Sequence, residues 1–115
     1  MPKIPIDYTN TVIYKICCKD INITDIYIGH TTEITKRKNS HKSNCHNENS
    51  KQYNYNVYTF IRENGGWNNW ELIPIEKYPC QDKIEAIIRE RYWYEELKAT
   101  LNIDTPSRTT KEWRE

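Results

Sequence analysis

The apolar positions near the start of the chain predict two short strands. Residues 11–18 and 25–30 mix β-branched and aromatic side chains, which suit a pleated and half-buried surface. The connection between them is rich in Asp and Asn, which favours a turn and an antiparallel pair. A third strand is predicted over residues 67–75. Pro74 lies near its end and cannot donate to a neighbouring strand, so we expect an edge position or early termination.

Helical spacing and capping signals predict three helices. Thr31 or Thr32 can cap the first, and Asp82 with Glu85 forms an Asp-x-x-Glu capping arrangement before the third. The apolar stripe of the second helix indicates core packing. The predicted helices cover residues 33–43, 53–63 and 82–99. The sequence therefore predicts a small α/β domain of the α+β type, with a three-stranded antiparallel sheet flanked by helices.

Length and composition indicate one small domain. At 115 residues the chain can bury a modest core, and a mean hydropathy of −0.95 limits the size of that core. We expect a leader at residues 1–10, a folded domain at 11–102 and a polar tail at 103–115. There is no long apolar run and no signal-peptide pattern. We therefore expect no membrane span and an intracellular protein that is not secreted.

The charge is unevenly distributed. The formal net charge is only +1, whereas nucleic-acid-binding domains are typically strongly basic. Residues 1–60 carry 8 Lys and Arg against 5 Asp and Glu, a net charge of +3, and residues 61–115 carry 9 against 11, a net charge of −2. This balance predicts weak nucleic-acid binding with a shallow salt dependence, as in a catalytic module that uses a separate targeting domain or protein. The candidate phosphate-binding residues are Lys36, Arg37, Lys38 and Lys42.

The cysteines show no Cys-x-x-Cys spacing. Cys45 precedes His46, a pair that could ligate a metal. We expect instead the reduced cysteines of an intracellular protein, with one or two in the core. A cysteine-ligated zinc module is the alternative. The four residues are Cys17, Cys18, Cys45 and Cys80.

Reactive side chains cluster around the second predicted strand. The first two strands carry one tyrosine each, Tyr14 and Tyr27. The second strand reaches Gly29, where the backbone can turn sharply or approach a ligand closely. Arg37 and His41 follow four residues apart, and so lie on one face of a helix. The sequence thus predicts two phenols, a guanidinium and an imidazole in one place.

Two tripeptides resemble the paired signature of the GIY-YIG nuclease family. They are Val-Ile-Tyr at residues 12–14 and Tyr-Ile-Gly at residues 27–29. Val12 replaces the glycine of the first signature, which alters a backbone position but keeps the tyrosine. The 12 residues between Tyr14 and Tyr27 indicate a somewhat longer hairpin turn.

Later residues extend this resemblance over nearly the whole chain. Lys36, Arg37 and His41 resemble the segment after the second signature in the homing-endonuclease branch. Glu90 and Asn102 resemble the family's metal-binding glutamate and its late asparagine. The resemblance implies the fold of the family and a divalent-metal-dependent DNA endonuclease, similar to a free-standing homing-type module that acts on duplex or branched DNA.

The resemblance also implies a role for each residue. Glu90 would bind one divalent cation, Mg²⁺ or alternatively Mn²⁺, and Arg37 would donate to a phosphate oxygen. Tyr14 would orient or deprotonate the attacking water, Tyr27 would support water and phosphate by hydrogen bonding, and His41 would carry a proton. Supporting roles are expected for His30, Lys36 and Asn102.

The helical wheel of the third predicted helix independently singles out Glu90. The carboxylate falls in the middle of an apolar arc, where a charged group requires a partner. An ion pair with Arg37 or Arg91 is the ordinary explanation, and a metal ion is the functional one. The arc consists of Ala86, Ile87, Trp93, Tyr94 and Leu97.

An inactive domain of the same fold is the alternative from a different functional class. Such a domain would bind nucleic acid or a protein partner, with its aromatic side chains as stacking platforms. Trp67 and Trp70 could stack on bases, but we expect both in the core. The presence of every reacting group favours the nuclease, while the target sequence and the oligomeric state stay open.

Overall fold

The chain folds around a three-stranded antiparallel sheet. A computed structural model describes residues 7–102. The strands are β1 (Val12–Cys18), β2 (Ile26–Thr31) and β3 (Trp70–Lys77), in the spatial order β2-β1-β3. Both pairings are antiparallel, which confirms the predicted sheet. The strand that contains Pro74 lies at an edge, where the missing N–H costs no ladder hydrogen bond.

Three helices accompany the sheet, with ends that differ from the predicted ones. The first extends beyond residue 43 because Cys45 in its last turn is buried in the core. The third ends before residue 99, and Lys98 beyond it has a positive φ of 53°. None of these helices is long and apolar enough to cross a membrane. They are α1 (Ile34–His46), α2 (Asn56–Glu63) and α3 (Lys83–Glu96).

One of the two helix-capping predictions is confirmed and the other is wrong. Asp82 caps α3 and accepts a hydrogen bond from the Glu85 N–H, as predicted. Thr31 and Thr32 do not cap α1, because Thr31 still belongs to β2 and the cap position falls on Glu33. The Thr31 hydroxyl oxygen instead accepts from the Glu33 N–H at 3.0 Å, which shapes the turn from strand to helix.

Short 3₁₀ turns precede β1 and β3. The turn Trp67–Asn69 occupies the beginning of the third predicted strand, so this strand starts later than expected. The turn Tyr8–Asn10 lies within the predicted leader, and the Tyr8 carbonyl accepts from the Cys80 N–H at 3.0 Å. This end of the leader is therefore attached to the domain. Residues 1–6 and the predicted tail 103–115 lie outside the described residues.

The sheet separates two hydrophobic clusters. On one face Tyr14 packs in a cluster that includes α2 residues and the side chains of Trp67 and Trp70, so both tryptophans belong to the core as expected. On the other face Ile13 and Ile28 pack with Ala99 and against side chains of α3. Because side chains alternate between the two faces along β1, Tyr14 faces α1 and α2, and Ile13 faces α3.

The Tyr14 ring lies directly against the backbone of β2. Tyr14 is the register partner of Gly29. A Cβ at Gly29 would lie 2.5 Å from both Cζ and the hydroxyl oxygen of Tyr14, which is well inside van der Waals contact. The glycine is therefore required for packing, because only the absence of a side chain lets the phenol cross the strand here.

Asn102 fastens the outer edge of β2. Its Oδ1 accepts from the Ile28 N–H at 3.0 Å, and its Nδ2 donates to the Ile28 carbonyl at 2.7 Å. The Leu101 N–H adds a bond to the Ile26 carbonyl at 3.0 Å. The end of the described chain thus pairs with the strand edge as a further strand would, and satisfies backbone groups that would otherwise lack partners.

We expect Asn102→Ala to destabilise the fold by about 1–3 kcal/mol, because it leaves the Ile28 N–H and carbonyl without their partner. Urea denaturation of wild type and variant measures the difference. Asn49→Ala is the matched control, since the Asn49 side chain is exposed and forms no hydrogen bond with residues 7–102. Equal stability of Asn102→Ala and the control would show that the Asn102 side chain does not stabilise the edge of β2.

Candidate active site

The polar residues predicted from the first strand and helix meet in one hydrogen-bonded cluster. The Tyr14 hydroxyl lies 2.7 Å from His41 Nε2. Arg37 Nε donates to the same hydroxyl oxygen at 3.2 Å. The structure thus brings the phenol, the guanidinium and the imidazole together as the sequence predicted. Tyr14 and His41 are 0% and 1% exposed, so these bonds form in the interior, where they are stronger than in water.

Local structure explains how the cluster forms. Tyr14 lies in the central strand and points to the face that α1 covers. Arg37 and His41 are one turn apart on that helix, and so both face the sheet. The basic residues between and beyond them, Lys38 and Lys42, are exposed to solvent. The helix therefore divides its polar side chains between a face that packs on the sheet and a solvated basic face.

Tyr27 adjoins the cluster through its ring. Its centroid is 6.4 Å from that of Tyr14 and 5.5 Å from that of His41. Burial and the negative charge of Glu90 raise the pKa of Tyr27 to about 12, and the positive charge of Arg37 opposes this shift. The second tyrosine is therefore a neutral phenol at physiological pH.

Burial dominates the electrostatics of the central pair. It raises the pKa of Tyr14 well above the ordinary 10, in spite of the opposing charge and hydrogen bond of Arg37. Burial and the charge of Arg37 lower the pKa of His41 to about 3. At physiological pH His41 is thus neutral, with one nitrogen that donates and one that accepts. Both groups keep their uncharged forms until a further charge changes the balance.

Tyr58 belongs to this cluster and was missed by the sequence analysis. Its hydroxyl lies 2.7 Å from His41 Nδ1, and the residue is 3% exposed. Only the apolar stripe of the second helix, which includes Val57 and Ile61, was assigned to the core. The available signal was a tyrosine directly after Val57, because a buried phenol requires a hydrogen-bond partner.

Glu90 forms a hydrogen bond with His30. His30 Nδ1 lies 2.8 Å from Glu90 Oε1, and the two side chains are 20% and 14% exposed. The ordinary explanation from sequence, a pair with Arg37 or Arg91, is therefore wrong in its partner, because β2 brings His30 nearer than either arginine. Arg91 pairs along the helix with Glu95.

The apolar arc that the sequence predicts around Glu90 is only partly buried. Ala86 is fully buried, and Trp93 and Tyr94 are partly buried against the second cluster. Leu97 is 38% exposed, because it lies at the C-cap, where the helical periodicity that placed it on the arc has ended. Glu90 is consequently half-buried at the margin of the core rather than enclosed by it.

The donor set at Glu90 fits a cation that keeps most of its water. Residues 7–102 contain no group of three or more His, Cys, Asp or Glu that could hold a metal ion. Oε2 of Glu90 makes no hydrogen bond with these residues, and no buried side-chain oxygen among them lacks a partner, so Oε2 is accessible to solvent. One free carboxylate oxygen with water and phosphate ligands is an ordinary Mg²⁺ arrangement.

An open depression borders the cluster. It has a volume of about 200 Å³. Lys36 at its rim is 80% exposed and lies 3.8 Å from Glu33, an exposed pair of little strength. Lys36 is therefore free to exchange this partner for a phosphate group. The lining residues are Thr31, Glu33, Lys36, Arg37 and Ser40.

Residues 7–102 contain no ligand cluster for the alternative of a cysteine-ligated zinc module. All four cysteines and all three histidines lie within residues 7–102, and the structure gathers no three of them around one point. Cys45 and Cys80 are buried and Cys17 and Cys18 are partly buried, all as free thiols. The expectation of one or two cysteines in the core is confirmed, and among residues 7–102 no third side chain of a ligand type is grouped with Cys45 and His46.

Comparison with known proteins identifies the family. A model of the GIY-YIG catalytic domain matches residues 10–102, which is most of the chain. Comparison with curated proteins and with solved structures finds no match. The matched range contains both tyrosines, the basic helix and Glu90, and the antiparallel sheet with its three helices has the architecture of this fold. The chain therefore belongs to the GIY-YIG nuclease family.

Proposed function

We propose that this protein is a divalent-metal-dependent DNA endonuclease that hydrolyses phosphodiester bonds, as a free-standing homing-type module. The observation that carries the proposal is the buried Tyr14 hydroxyl with Arg37 and His41 bonded to it. A phenol between a cation and an imidazole has the surroundings that proton transfer from water requires. An intracellular location follows from a DNA substrate.

Arg37 is the proposed phosphate ligand. Its Nε donates to Tyr14 and the guanidinium also has a hydrogen bond to Tyr27, so further N–H groups remain on its two terminal nitrogens, because a guanidinium carries five. They can donate to a non-bridging phosphate oxygen while Nε keeps its bond, because the guanidinium is a rigid planar fork of donors. The same side chain would then hold the phosphate and the phenol in a fixed relation.

Tyr14 is the proposed group that orients the attacking water and removes its proton. Burial and, less strongly, Tyr27 and the charge of Glu90 hold Tyr14 in its neutral form, so neutralising that carboxylate removes one of the influences that oppose the phenolate. A divalent cation bound through Glu90 would supply this charge, polarise the phosphate and stabilise the leaving 3′ oxygen. His41 contacts the phenol directly and governs its proton.

His30, Lys36 and Asn102 have supporting roles. His30 orients the Glu90 carboxylate through its Nδ1 contact, which leaves Oε2 for the cation. Lys36 lies at the rim of the depression, where it extends the phosphate contacts of Arg37. Asn102 holds β2 and thereby the position of Tyr27.

The basic face of α1 is the proposed DNA contact. Lys38 and Lys42 are exposed on this face, one turn apart, and suit contacts with successive phosphates. Because the net charge is only +1, binding is expected to be weak and only slightly salt-dependent. A separate targeting domain or protein would supply specificity for duplex or branched DNA.

The first test compares wild type with Glu90→Gln in cleavage of supercoiled plasmid with Mg²⁺ or Mn²⁺, beside an EDTA control. We expect cleavage by the wild type alone, with a loss of about 10³-fold or more in the variant, since the cation contributes several kcal/mol to the transition state. Mn²⁺ titration by calorimetry should show one site in the wild type and none in the variant.

The matched control for Glu90→Gln is Glu96→Gln, since Glu96 lies on the same helix and is exposed. It should keep full cleavage and Mn²⁺ binding. Cleavage by Glu90→Gln at the wild-type rate would eliminate Glu90 as the metal ligand. A folded wild type that cuts no substrate with either metal would favour the inactive binding domain.

We expect Arg37→Ala to reduce cleavage by at least about 10²-fold, as loss of one transition-state donor typically does, while Mn²⁺ binding stays intact. Arg37→Lys should recover only part of the rate, because an ammonium lacks the planar fork. Lys19→Ala removes one exposed positive charge away from the site and controls for net charge. Loss of Mn²⁺ binding in Arg37→Ala would contradict a role confined to the phosphate.

We expect Tyr14→Phe to reduce kcat by at least about 10²-fold, since general-base catalysis contributes about that much. Single-turnover cleavage at saturating metal measures the chemical step. Tyr78→Phe is the control, because its hydroxyl makes no hydrogen bond with residues 7–102 and its ring belongs to the other cluster. A wild-type rate for Tyr14→Phe would show that the phenol does not take the proton.

A further inference from the structure

A chain of hydrogen bonds leads from the turn after α1 toward the buried cluster. The Gln52 backbone N–H donates to Ser50 Oγ at 3.2 Å. The Ser50 hydroxyl donates in turn to Asn44 Oδ1 at 2.7 Å. This bond turns the amide nitrogen of Asn44 toward Tyr58, where Nδ2 donates to the hydroxyl oxygen at 3.3 Å. The Ser50 oxygen can accept from the Gln52 N–H while its own hydrogen bonds Asn44, because a hydroxyl has two lone pairs and one hydrogen.

The chain continues through His41 to Tyr14. The Tyr58 hydroxyl lies 2.7 Å from His41 Nδ1, and the Tyr14 hydroxyl lies 2.7 Å from His41 Nε2. A neutral imidazole has one acceptor nitrogen, but two phenol hydrogens compete for it. At the far end Arg37 Nε donates to the Tyr14 oxygen. Donors therefore stand at both ends of the chain, so one of the two phenol oxygens must accept from both sides.

The two phenols differ in what flanks them. Tyr58 has a neutral amide beside it and is 3% exposed. In either tautomer, the phenol whose oxygen accepts twice keeps a hydrogen that has no acceptor among residues 7–102. Tyr14 has a guanidinium beside it, which opposes the rise in pKa that burial causes. The doubly accepting oxygen is therefore best placed on Tyr14, whose proton the reaction must remove.

We propose that Tyr58 is a positioning residue which, together with Asn44, holds His41 in the tautomer that donates its Nε2–H to Tyr14. The inference rests on the proposed function and deepens it. His41 then acts as a hydrogen-bond donor rather than as the expected proton carrier. Once Tyr14 has lost its proton to solvent, His41 and Arg37 both donate to the phenolate. The phenolate takes a proton from the attacking water, whose oxygen bonds to phosphorus as the 3′ oxygen leaves.

The tautomer can be measured without activity. Long-range ¹H–¹⁵N NMR of the ¹⁵N-labelled full chain distinguishes protonated from unprotonated imidazole nitrogens, and His30→Gln and His46→Gln assign the signals of His41. We expect an unprotonated Nδ1 and a protonated Nε2 at pH 7. The opposite tautomer in the wild type would overturn the proposal, whether or not the protein cleaves DNA.

Asn44→Asp should reverse the tautomer. A carboxylate can only accept, so Tyr58 would donate to it, and His41 would donate Nδ1–H to Tyr58 and accept at Nε2 from Tyr14. Gln52 Oε1 accepts from Asn44 Nδ2 in the wild type, and in the variant Gln52 can turn its amide nitrogen toward the new carboxylate instead. We expect exchanged ¹⁵N signals and a kcat lower by about tenfold or more, with KM for plasmid unchanged because neither Asn44 nor Tyr58 belongs to the exposed basic face proposed to contact DNA. An unchanged tautomer would overturn the proposal.

Tyr58→Phe supplies the second variant, with Tyr55→Phe as its control. The Tyr55 ring is stacked at 6.4 Å on that of Tyr58 but is exposed, and its hydroxyl is not part of the chain. We expect Tyr58→Phe to lower kcat by about tenfold or more, and Tyr55→Phe to leave kcat unchanged. Equal rates for wild type, Tyr58→Phe and Asn44→Asp would overturn this proposal. If Glu90→Gln is inactive at the same time, the proposed nuclease function would still stand, so the two proposals can fail separately.

Discussion

The buried hydrogen bond between Tyr14 and His41 is the interaction on which the site depends. It joins the central strand to α1 across the core and fixes the helix relative to the sheet. Both partners are almost fully buried, where an unmade bond would cost more than the bond contributes in water. The contact thus stabilises the fold and also places Arg37 beside the phenol, because the helix that it positions carries Arg37.

Backbone constraints in β2 serve the same contact. Gly29 leaves room for the phenol to cross the strand, and Asn102 holds the outer edge of that strand. Neither residue contacts the Arg37 or His41 side chain. They act by keeping the strand flat against Tyr14, and so the family's glycine and asparagine positions have a structural explanation that does not require either of them to take part in the reaction.

Burial keeps the phenols and the imidazole of the cluster in their neutral forms. Burial raises the pKa of Tyr14 and Tyr27 and lowers that of His41, and Glu90 strengthens the effect on both phenols. The carboxylate that opposes ionisation is also the residue suited to a cation. Binding of a cation there would reverse the sign of its influence, which couples the metal to the phenol without direct contact.

The sequence by itself determined the sheet, the edge strand, the helix faces and the joint position of Tyr14, Arg37 and His41, because these follow from local periodicity and from a family pattern. Helix ends departed from prediction where a buried side chain such as Cys45 extended a turn. Only the tertiary structure decided that Glu90 pairs with His30, and that Tyr58 completes the cluster. Both contacts join residues far apart in the chain, 60 positions for one and 17 for the other, and local patterns carry no information about such distances.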